Sequence, residues 1–162
     1  MIAENGRDYK DLPHLTEGDD EFRAKFLSWD IGNLTFIDIN EYLAVKDLII
    51  VPIASLEQHG PHLPLYTDTV TAVEMSRRVA EMIGVLHTPP IWMGYSPQHM
   101  HHPGMGRGTI TMRSSTVLAV MYDTARSLIH HGFNRIIFMN GHGSNVKIVD
   151  PVLRKLRYET GA

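Results

Sequence analysis

The longest uninterrupted apolar run is LIIVPIAS, residues 48–55, rich in β-branched side chains and flanked by polar segments. That pattern predicts a strand buried on both faces. Upstream, DINEYLAVK from Asp38 has a short helical pattern. From Thr67–Thr69 onward, Val70, Val73, Met75, Val79, Met82 and Ile83 recur at roughly helical spacing, and Gly84 is placed to stop the helix. Met75, Met82 and Met139 are read as core. A weaker strand is expected over Val85 to Met93, interrupted by Pro89 and Pro90. Ser114 or Ser115 can cap a helix through TVLAVMYDTARSLIHH, with Gly132 at the left-handed position past its end. The strand RIIFMN, the tight loop GHGSN and a helix through VLRKLRYE to Gly161 complete the chain. Pro151 either opens that last helix or kinks it.

Strand and helix alternate, which is the order that builds a largely parallel sheet with helices on its faces. Three unusual segments, EQHGPHLPLYTD, GYSPQHMHHPG and NGHGSN, each come directly after an expected strand. In such sheets the carboxyl ends of the strands form the ligand crevice, so these segments should meet there. Residues 1–34 read as an acidic N-terminal arm with a short helix around Glu21 to Leu27, and residues 35–162 as the α/β domain. There is no internal repeat.

Fifteen basic against eighteen acidic side chains give a net charge of −3, without the basic block that would neutralise a row of phosphates. Nucleic acid is therefore not an expected partner. The sequence MIAENGRDYKDLPHL lacks the features of a secretory signal, and no apolar stretch approaches the roughly 20 residues needed to span a bilayer. A cytoplasmic protein without membrane contact is expected. With no cysteine, any metal must be held by nitrogen and oxygen, which favours zinc, manganese or iron.

Of ten histidines, five fall in HGPH and HMHH and a sixth in NGHG. Glu57 and His59 are two apart, so an extended backbone projects both to one side. Asp68 lies beyond a proline-stiffened loop at a helix start, and His142 sits between two glycines that let the backbone turn sharply. Two histidines and two carboxylates suit Zn²⁺ or Mn²⁺, and a bridging carboxylate would let them serve two ions. Each residue also has a plainer reading: Asp68 as a helix N-cap, Glu57 and His59 as a solvated loop pair, His142 as a structural turn residue. His99, His101 and His102 either line the cleft or belong to a surface loop; Trp92 and Tyr95 read as core or cleft wall.

Together these segments resemble the creatininase family. VPIASLEQHGPHLPLYTDT is similar to its Glu-x-His-Gly-x-His-Leu-Pro run ending in Thr-Asp, and HGFNRIIFMNGHGSN to its Gly-Phe and Asn-Gly-His-Gly block. GYSPQHMHHPGMGRGTI is a looser match. The resemblance covers about residues 35 to 162 and implies an α/β three-layer sandwich with a mostly parallel sheet. It further implies that Glu57, Asp68 and His142 bind one divalent metal ion, and that His59 and Asp68 bind a second, with Asp68 bridging. The implied reaction is attack of metal-activated hydroxide on a carbonyl of a small cyclic amide or related ring. His102 and His99 are the candidate catalytic residues. Alternatives are a carbohydrate-ring hydrolase of ketocyclitol type and a non-catalytic metal-binding subunit. In some creatininases a glutamate two positions after the Asn-Gly-His histidine completes the second site; here Ser144 stands there. A C-terminal portion or second chain is therefore expected to complete the sheet and site. A homo-oligomer, a hexamer by resemblance, is also implied.

Overall fold

The computed structural model describes residues 17–101, 104 and 106–162; His102, on which one expectation falls, lies outside them. Among the described residues the α-helices and strands succeed one another as α1 (Glu17–Ala24), α2 (Phe36–Leu43), β1 (Leu48–Ile53), α3 (Thr67–Ile83), β2 (Leu86–His87), α4 (Ser114–His130), β3 (Arg135–Asn140) and α5 (Val146–Thr160). The sheet is parallel throughout, in the order β2-β1-β3. The run predicted as a doubly buried strand is its central member. Ile49, Val51 and Ile53 share a core with Val117, Met121, Ala125 and Leu128 of α4 and Val152 and Leu156 of α5. Ile50 faces the other way, with Ala80 and Val85. Helices on both faces make the expected α/β three-layer arrangement.

Several local expectations need correction. Helix α2 begins at Phe36, because Thr35 and Asp38 form a capping box. Donation from Thr35, its hydroxyl foremost, holds the Asp38 carboxyl below its ordinary range. The second strand is only Leu86–His87, since prolines at 89 and 90 cannot donate to the ladder. The chain nevertheless stays beside β1: Ile91 donates to the Pro52 carbonyl, and Ala54 donates to that of Ile91, both at 2.9 Å. Helix α4 has Ser114 and Ser115 inside its first turn, with Arg113 at the N-cap and no side-chain cap bond. Gly132 does take positive φ, 105°. Pro151 lies inside α5 rather than at its first position.

Met75 is not core. It is 50% exposed and Val70 is 55% exposed; the buried face of α3 consists of Thr69, Ala72, Ser76 and Ala80. Small side chains at this spacing let the helix lie close to the sheet. N-terminal to the first strand, the aromatic side chains of Phe22 and Phe26 pack with Tyr42 in the main core. None of the described helices is long and apolar enough to cross a membrane.

Tyr42 ties the two strands nearest it. Its hydroxyl donates to the Leu48 carbonyl at 2.6 Å and accepts from the Leu86 N–H at 3.4 Å. Burial pushes that hydroxyl up to about 12, so it stays protonated and able to donate. Tyr42→Phe should cost about 1 kcal/mol in denaturant unfolding. A raised tyrosine pKa favours the fold fully below the unfolded value of about 10 and loses that effect by about 12. The variant should lack this part of the alkaline decline.

Candidate metal centre

The loop leaving β1 alternates. Ser55 and His59 reach Asp68, and Glu57 reaches His142. Backbone bonds hold this geometry: Glu57 N–H donates to Leu65 O at 3.1 Å, and Gln58 N–H to Thr109 Oγ1 at 3.1 Å. The loop from 59 to 66 returns the chain into α3 with Asp68 in its first turn. Asp68 is not the N-cap; Tyr66 holds that position. The Asp68 carboxylate accepts instead from the fully buried Ser55 hydroxyl at 2.7 Å. His142 comes after β3 and turns back beneath it, its backbone N–H donating to Asn140 Oδ1 at 3.2 Å.

All four expected ligands meet. His59 Nε2 lies 3.0 Å from Asp68 Oδ1, and His142 Nδ1 lies 2.9 Å from Asp68 Oδ2 and 3.3 Å from Glu57 Oε1. Glu57, His59 and Asp68 each offer an atom within 4.8 Å of the others. Glu57 and His142 are buried, at 7% and 4% exposure.

Which ring atoms carry hydrogen is decided by the partners on the far side. His59 Nδ1 is 3.0 Å from the carbonyl of Glu57, and His142 Nε2 is 3.1 Å from the carbonyl of Tyr95. Carbonyls only accept, so the N–H is there in both rings. The other ring nitrogen of each faces a carboxylate oxygen. Such a contact needs a ring proton or a metal cation between the two atoms, and metal-ligating histidines adopt the same arrangement. With bonds of about 2.0–2.2 Å to one tetrahedral ion, neighbouring ligand atoms fall about 3.3–3.6 Å apart, close to the contacts of 2.9–3.3 Å here. The donor set therefore fits a divalent ion. Glu57 Oε2 is buried and has no hydrogen-bond partner among the described residues.

Comparison with known proteins gives the family. The profile of the creatinine amidohydrolase (Creatininase) family matches residues 32–162. The creatinine amidohydrolase of Pseudomonas putida is 34% identical over 138 residues, covering 79% of this chain and 52% of that protein. The chain belongs to the creatininase family. A 3-dehydro-scyllo-inosose hydrolase from Thermotoga maritima is 36% identical, covering 71% of this chain and 36% of its own. A mycofactocin precursor peptide peptidase from Mycolicibacterium smegmatis is also 36% identical, covering 69% and 46%. Among solved structures, a Zn-Zn form of a mutant creatininase superposes with TM-score 0.72 at 33% identity, covering 83% of this chain and 54% of that one. A manganese creatininase gives 0.71 at 34%, covering 82% and 54%. The chain thus spans about half the length of the creatininases it matches, and less of the inosose hydrolase.

The other creatininase-motif residues stand around this cluster in different ways. Ser144 accepts from Gln98 Nε2 at 2.9 Å rather than joining the cluster. His99 Nε2 stands 3.6 Å from Glu57 Oε2. His101 is exposed, Trp92 borders the surface at 36% exposure, and Tyr95 contributes its carbonyl to His142.

Three residues went unread in the sequence. Ser55 continues the alternation of Glu57 and His59 backwards by two positions, a signal that was present in the chain. Ser96 places its hydroxyl 3.1 Å from His142 Nε2. Asn145 donates to the Ala54 carbonyl at 3.0 Å and accepts from the Tyr95 N–H at 3.1 Å, stitching three loops together; nothing in GHGSN announces that. The stitch depends on Gly94, where a Cβ would meet Ala54 O at 2.3 Å and Asn145 Oδ1 at 2.9 Å. Gly94→Ala should destabilise the fold by about 1–3 kcal/mol, measured by denaturant unfolding.

Proposed function

We propose that this chain carries the metal-holding half of a metal-dependent hydrolase that opens a carbonyl-bearing C–N bond in a small cyclic amide or related ring. The observation that carries the reading is the pair of imidazoles, each giving its N–H to a backbone carbonyl and turning its other ring nitrogen to the shared Asp68 carboxylate. Glu57, Asp68 and His142 would hold one ion, and His59 and Asp68 a second, with Asp68 giving one oxygen to each. Divalent metal bound there supplies Lewis acidity, which brings a water's pKa towards neutrality and polarises a carbonyl.

The residues of the chain do the rest. Ser55 fixes the Asp68 carboxylate plane, and the carbonyls of Glu57 and Tyr95 fix the two rings. Burial of Glu57 and His142 keeps bulk water from competing for the ligand atoms. Leaving-group protonation falls to His102 or to a residue from the portion of the enzyme that completes the site. That portion, a further stretch of chain or a second subunit, would supply the acidic ligand that Ser144 does not and would extend the sheet beside β3. Ile137 of β3 is 43% exposed, as a surface awaiting cover would be. A cytoplasmic homo-oligomer, a hexamer by family likeness, is the proposed setting.

The inosose hydrolase relative favours a second substrate class, a ketocyclitol ring, on the same centre. Hydrolysis assays on lactams, formamides and ketocyclitols separate the two. Turnover of an amide supports the first reading; turnover of ketocyclitols alone replaces it.

Metal content is the more direct check. The complete assembly, loaded with Zn²⁺ or Mn²⁺ and desalted, should retain two ions per chain by elemental analysis. Asp68→Asn should lower retention of both and reduce hydrolysis at least about 100-fold. Full retention in that variant would remove Asp68 as the bridge.

A further inference from the structure

His99 approaches the cluster with the opposite polarity to the candidate ligands. Its Nδ1 lies 2.7 Å from Gln58 Nε2, and which atom of the Gln58 amide stands there is settled by the backbone. Gly60 N–H donates to Gln58 Oε1 at 2.9 Å, so the oxygen end is taken and the NH₂ end faces His99. An amide NH₂ can only donate, so Nδ1 must accept, and the ring hydrogen is on Nε2. His99 Nε2 stands 3.6 Å from Glu57 Oε2, the buried carboxylate oxygen with no hydrogen-bond partner among the described residues.

We infer that Gln58 and His99 are positioning residues for Glu57. They form a one-way relay, from the Gly60 N–H through the Gln58 amide and the His99 ring to Glu57 Oε2, which leaves Oε1 to face His142 and the metal. The relay makes His99 neither a ligand, since its lone pair is committed to Gln58, nor the proton donor for the leaving group, since a neutral ring holds its Nε2 hydrogen. Two backbone features hold it in place. Gln58 is pinned by its own N–H to Thr109. The His99 carbonyl packs so closely on Gly106 that a Cβ there would lie 1.7 Å from it. The 3.6 Å separation from Glu57 is longer than a hydrogen bond, so the last step of the relay is a facing pair rather than a bond.

This inference rests on the cluster being a metal site, but the ring hydrogen can be read without metal or substrate. Protein labelled with ¹⁵N-histidine, in its complete assembly, should show His99 as the neutral form with a bare Nδ1 and a protonated Nε2. Gln58→Glu keeps an acceptor for Gly60 but offers a second acceptor to His99, so Nδ1 should become protonated. Gln58→Met removes the partner, should mix the two neutral forms, and should weaken Zn²⁺ binding about tenfold or more. On adding Zn²⁺, the His59 and His142 nitrogens should shift strongly while His99 Nε2 keeps its hydrogen.

A protonated Nδ1 in the unaltered protein would overturn the inference. So would a His99 spectrum unchanged in Gln58→Glu, or loss of the Nε2 hydrogen to Zn²⁺. Silence of His59 and His142 toward Zn²⁺ would instead sink the metal reading, while the His99 signals would still report whether Gln58 sets the ring.

Discussion

The centre is organised around one carboxylate. Asp68 receives the Ser55 hydroxyl and faces the lone pairs of His59 and His142. Each contact needs a proton or a metal cation between nitrogen and oxygen, and each imidazole is anchored from behind by a backbone carbonyl. Those carbonyls belong to Glu57 and Tyr95, on two different loops. Moving either loop would release a ring.

Convergence of these loops is a consequence of the sheet. In a parallel arrangement every strand ends at the same rim, so residues 55–59 and 142 arrive together although they are far apart in sequence. Close approach then sets the fine geometry. The small buried face of α3 brings Asp68 in, and Gly141 admits it: a Cβ at Gly141 would meet the Asp68 carbonyl at 2.4 Å. A larger residue at either place would hold the carboxylate away from the strand ends.

Within the cluster the histidines divide by what stands behind them. Carbonyls behind His59 and His142 turn lone pairs inward; an amide NH₂ behind His99 turns an N–H inward. Identical side chains thereby present opposite polarity a few ångströms apart. The family supports several named activities, on creatinine, on an inosose and on a peptide, at similar identities to this chain. One fold can host several chemistries, because activity is set by the site it carries.

Much of this could be read along the chain because it is encoded locally. The β-branched run of β1 specified a buried central strand, the alternation of Glu57 and His59 specified a common direction, and Gly132 and Gly84 marked helix ends through their positive φ. Other features depended on neighbours remote in sequence. Met75 and Val70 share the period of a core stripe yet face outward, because the sheet accepts only the small side of α3. The prolines at 89 and 90 shortened β2, but that Ile91 resumes contact with β1 was settled by pairing across the sheet. Nor could the sequence tell His99 from His142 in role, since a ring's polarity is set by the donor or acceptor packed against its far nitrogen, and only tertiary folding chooses that partner.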